Sequence, residues 1–67
     1  MNQVSITKDQ LGRIHVSIGG FITVVPADFS KTEALVEIGS FHTHCEDSGV
    51  STSWSAIQSK LDYLFTN

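Results

Sequence analysis

The sequence predicts an α+β fold: a small antiparallel sheet of three to four strands, a β-meander, packed against one C-terminal helix. Three observations carry that prediction. Short segments of alternating polar and apolar residues fill the first third of the chain, each bounded by glycine or proline. Apolar residues then recur at helical spacing near the C-terminus. The chain is 67 residues long, which allows one hydrophobic core and places all of 1–67 in a single compact domain.

The elements follow in order. Residues 3–7 (QVSIT) alternate as a half-buried strand does, and Lys8-Asp9-Gln10-Leu11-Gly12 reads as a turn with Gly12 available for positive φ. Residues 13–18 (RIHVSI) put Ile14, Val16 and Ile18 on one face. Gly19-Gly20 is a dipeptide that closes two-residue hairpins. Residues 21–25 (FITVV) form a third strand, which Pro26 ends because it has no N–H to donate.

The middle of the chain supports two readings. Ser30-Lys31-Thr32-Glu33 has the form of a capping box, and Gly39 is placed to close a short helix over 31–38. The period-two reading instead sets Val36, Ile38, His42 and His44 on one face of a fourth strand beginning near Leu35, and that reading is preferred here. Glu46-Asp47-Ser48-Gly49 reads as a loop. A final helix is expected over 52–65, with Ser51 or Ser53 as N-cap and Trp54, Ile57, Leu61 and Leu64 as its apolar stripe.

Composition narrows the function. Four basic residues against seven acidic ones give a net charge of -3, which argues against direct nucleic-acid binding. No apolar run reaches the roughly 18 residues of a membrane span, and no basic-then-apolar leader opens the chain. One cysteine, Cys45, excludes an intramolecular disulfide. These features point to a soluble domain in the cytoplasm with no membrane partner. Charged residues are only 16% of the chain, while serine and threonine number fifteen, a surface that is cheap to desolvate in a contact.

The densest group of reactive side chains is Phe41-His42-Thr43-His44-Cys45-Glu46-Asp47. On a strand, His42 and His44 point the same way, about 6–7 Å apart, and suit a shared zinc ion. Zinc is the one cofactor that this spacing suggests. The segment Ile38-Gly39-Ser40-Phe41-His42-Thr43-His44 resembles the zinc-binding strand of the JAMM/MPN metalloproteases. That resemblance implies His42 and His44 as zinc ligands in an isopeptidase-like core. It covers about a third of the chain, and the rest of the family's pattern is incomplete. Cys45 stands where proline is usual, Thr52 where serine falls and Ser55 where the aspartate ligand belongs. No glutamate occurs in the first 32 residues, where the family keeps its general base. Ile14-His15-Val16-Ser17-Ile18 looks like half of a two-histidine phosphoesterase motif, without the second half.

The function expected from these features is non-enzymatic. A small acidic module of this kind suits binding to a larger protein, as inhibitors, immunity proteins and phage-type anti-defence proteins do. Glu33, Glu37, Glu46 and Asp47 are its expected charged front, with Tyr63 as an exposed aromatic contact. The stretch 46–54 is its expected functional edge. Two further readings belong to other classes: a small zinc protein using His42 and His44, and a homodimer or larger homo-oligomer that pairs its edge strands.

Overall fold

A computed structural model describes residues 3–66 of the chain. It is an α+β two-layer structure whose strands β1 (Val4–Lys8), β2 (Ile14–Ile18) and β3 (Phe21–Val25) form one antiparallel sheet in the order β1-β2-β3. Helices α1 (Lys31–Asp47) and α2 (Trp54–Phe65) cover one face of it, α1 lying on β3 and α2 on β1. Ile14, Val16, Ile18 and Val25 point into the core, where they meet Ala34, Ile38 and Cys45 of α1 and Ile57 and Leu61 of α2. Fully burying a side chain of valine or isoleucine size stabilises by about 1.5–3 kcal/mol, so this layer holds the fold.

Both hairpins are built as the sequence predicts. Asp9 and Gly12 close the first: the Gly12 N–H donates to Asp9 O at 3.1 Å, and Gly12 takes φ +88. The Asp9 carboxylate accepts the Leu11 and Arg13 backbone N–H groups, both at 2.9 Å, and so templates the turn itself. Gly19 and Gly20 take φ of 53 and 98, the paired positive values of a type I′ hairpin, and set Ile18 opposite Phe21.

The fourth strand does not form; the capping-box reading wins, and the helix runs far past Gly39. Ser30 Oγ accepts the Glu33 N–H at 3.2 Å while Glu33 Oε1 accepts the Ser30 N–H at 2.8 Å. Phe29 and Ala34 occupy the positions of a hydrophobic staple around this cap, and both belong to the core. Ala34, Ile38, His42 and Cys45 make the buried stripe, at helical rather than alternate spacing, whereas Val36 is 70% exposed. The helix ends at Gly49 (φ +87), with the Val50 N–H donating to Cys45 O at 2.8 Å and the Gly49 N–H to Glu46 O at 3.0 Å. That is a Schellman motif. Glu46 and Asp47 are accordingly the last residues of α1, not part of a loop. The final helix starts two residues later than expected, capped by Ser53, whose hydroxyl accepts the Ala56 N–H at 3.3 Å. The fold thus has two helices where the sequence reading placed one.

Candidate functional site

His42 and His44 are separated by the helix that replaces the expected strand. Two residues turn an α-helix by about 200°, so their imidazoles face opposite ways. His42 is buried; its Nε2–H donates to the Thr52 carbonyl at 3.3 Å, and its ring lies 5.3 Å from that of Trp54. Nδ1 stands 3.8 Å from Glu46 Oε1. His44 is exposed and meets the edge of Phe21 at 5.7 Å. The pair does not converge on a common point, and among the described residues no group of three or more His, Cys, Asp or Glu side chains is placed to hold a metal ion. Cys45 is fully buried, and burial pushes its thiol pKa up. It is a core residue rather than a nucleophile.

The four acids do not all share one face of α1: at about 100° per residue Glu33, Glu37 and Asp47 fall within about 80° of one another, and Glu46 lies apart. Glu33 is engaged in the cap of α1, with Glu37 one turn on. Glu46, nine residues beyond Glu37, is rotated from it by about 180°. Within the stretch 46–54, Thr52 is buried and Val50 and Trp54 are packed against the core, while Glu46, Asp47, Ser48, Gly49 and Ser51 are exposed.

Tyr63 is placed as expected, 72% exposed on the outer side of α2. It belongs to a groove between β1 and α2 with a volume of about 380 Å³, lined by Ile6, Ser59, Lys60, Tyr63 and Leu64. Ile6 and Leu64 are half-buried and form its floor, while Lys60 is exposed and has no ion-pair partner among the described residues.

The hydrogen-bond register makes this groove more than a dent. The Asp9 N–H donates to Arg13 O at 2.9 Å, so residues 5, 7 and 9 direct their backbone groups toward β2. Val4, Ile6 and Lys8 therefore direct N–H and C=O outward, along the edge of β1 that borders the groove and beside which no further strand lies among the described residues. Of the residues that line this groove, sequence reasoning singled out Tyr63 as an exposed contact and did not single out Ile6, Ser59, Lys60 or Leu64 as such. The available signal was Lys60 and Tyr63 three residues apart on the helix, both off the apolar stripe.

A second polar cluster lies at the β1–β2 turn. Asp9 Oδ2 accepts from His15 Nε2 and Arg13 Nε, each at 2.8 Å. The His15 imidazole, then the Arg13 backbone and guanidinium and the Leu11 N–H, hold the Asp9 carboxyl well below the usual carboxylate range. With every acceptor site turned into the turn, this cluster reads as a hairpin clasp.

No protein-family model matches the chain, and neither a curated protein nor a solved structure does so.

Proposed function

We propose that this protein is a non-enzymatic binding module that takes an extended segment of a larger protein along the edge of β1. The observation that carries the reading is the groove of about 380 Å³ beside the outward backbone groups of Val4, Ile6 and Lys8. In strand addition, main-chain hydrogen bonds supply affinity, and pockets for alternate side chains supply specificity. Here the lining of Ile6, Leu64 and the Tyr63 ring suits an apolar side chain, and Lys60 suits a neighbouring carboxylate. The chain would act by occupying that segment, as an inhibitor or immunity protein does.

The test is to pan a phage-displayed peptide library against the immobilised protein and measure the enriched peptides on two variants. The reading expects peptides that pair an apolar residue with an acidic one nearby. Tyr63→Ala should weaken them by about 30-fold, the scale of a hot-spot aromatic, and Lys60→Glu should do so chiefly at low salt. Peptides that bind both variants as well as the parent would place the site elsewhere.

A further inference from the structure

The opposite edge of the sheet has a different chemistry. We infer that β3 pairs with β3 of a second copy of this chain, antiparallel about a two-fold axis through Thr23, to give a continuous six-stranded sheet.

The register dictates which groups are available. Ile18 and Phe21 flank a two-residue hairpin and exchange backbone hydrogen bonds, so residues 21, 23 and 25 direct theirs to β2. The β1–β2 register gives the same parity independently, because residues 13, 15 and 17 of the central strand are committed to β1. Ile22 and Val24 are left with N–H and C=O facing outward, where among the described residues no further strand lies. These two residues are symmetric about Thr23. A copy related by the two-fold sets Ile22 opposite Val24 of the partner, and Val24 opposite its Ile22, with two backbone bonds exchanged at each pair.

The side chains match that register. Ile22 and Val24 are 70% and 44% exposed and project from the open face of the sheet. Pairing gathers four β-branched side chains into one cross-strand cluster. Nothing on this edge opposes it. Edge strands are normally guarded by lysine, an internal proline or a bulge, and β3 has none of them, whereas β1 carries Lys8. Between Arg13 and Asp28 the only ionisable side chain is His15, so the two β3 strands bring no acid of their own to the seam. A neutral edge also offers no charge by which an unlike partner would be selected, which favours a self-complementary one. A contact of one short strand pair falls below the roughly 800 Å² per partner of a standard interface, so the dimer is a reversible one. It leaves the β1 edge free and is independent of the function proposed above.

Sedimentation velocity from about 10 μM to about 1 mM, a range that spans weak association, tests this. The weight-average mass should rise from 7.3 kDa toward twice that value. Ile22→Lys should hold it at the monomer with the circular dichroism spectrum unchanged, since the side chain it replaces is exposed. Adding Val24→Glu to Ile22→Lys should restore the dimer, because positions 22 and 24 face one another only in this register. A mass constant over the whole range overturns the inference. So does a dimer that Ile22→Lys leaves intact, or a double variant no more associated than the single one.

Discussion

Trp54 closes over Gly39: a Cβ built on that glycine would lie 3.5 Å from Trp54 Cη2. The contact joins the middle of α1 to the first residue of α2.

The distance nevertheless leaves room for a methyl group, because 3.5 Å is ordinary van der Waals contact. Gly39 has helical backbone, so alanine gains helix propensity there. Gly39→Ala should stabilise the protein by about 0.5–1 kcal/mol in urea unfolding. Gly39→Leu should destabilise it, since the larger side chain must displace the indole. A loss of stability in the alanine variant would show that the helices are closer than this geometry gives.

The two histidines should behave unequally. His42→Ala opens a cavity beside Trp54 and removes the hydrogen bond to the Thr52 carbonyl, at a cost of about 2–3 kcal/mol. That is a large part of the stability of so small a domain. His44→Ala loses only an exposed contact with Phe21 and should cost less than about 1 kcal/mol. Equal losses, or a zinc-induced rise in Tm that either substitution removes, would mean that the two imidazoles act together after all.

The meander was legible because each of its signals is local. Alternation sets the faces, Gly12 and Gly19-Gly20 set the turns, and Pro26 sets the end. The middle of the chain was not, for two reasons. His42 and Cys45 complete the buried stripe of α1, but a histidine does not register as apolar until its ring is known to be packed. Gly39 looks like a stop signal when its actual partner, Trp54, lies fifteen residues away in sequence. The groove was hidden in the same way. Ile6 and Tyr63 come from opposite ends of the chain, and only the packing of α2 on β1 brings them together.

Acids at the two ends of α1 should have opposite effects. Glu33 sits in the first turn, where its carboxylate caps the Ser30 N–H and meets the positive end of the helix dipole. Glu33→Ala should therefore cost about 0.5–1 kcal/mol. Asp47 is exposed in the last turn, against the negative end. Asp47→Lys should stabilise by about 0.3–1 kcal/mol, less at high salt. If Asp47→Lys leaves Tm lower, the carboxylate has a partner that the helix dipole argument omits.

Acid should loosen the first hairpin through Asp9. Its carboxyl pKa is depressed in the folded state, chiefly by the bond from His15 and then by Arg13 and Leu11. An unfolded aspartate takes its proton near pH 3.9, so as pH falls the unfolded chain binds that proton before the folded one does. The stabilisation is fully present above the unfolded pKa and is lost as pH drops toward the folded value. Asp9→Asn keeps an oxygen for the Leu11 and Arg13 amides but has no proton to take up. Its Tm should be lower than the parent's at pH 7 and should change less between about pH 5 and pH 2. His15→Ala, which removes the largest cause of the shift, should flatten the parent's profile in the same direction. Parallel Tm profiles for the parent and Asp9→Asn would show that the clasp holds the turn by geometry alone.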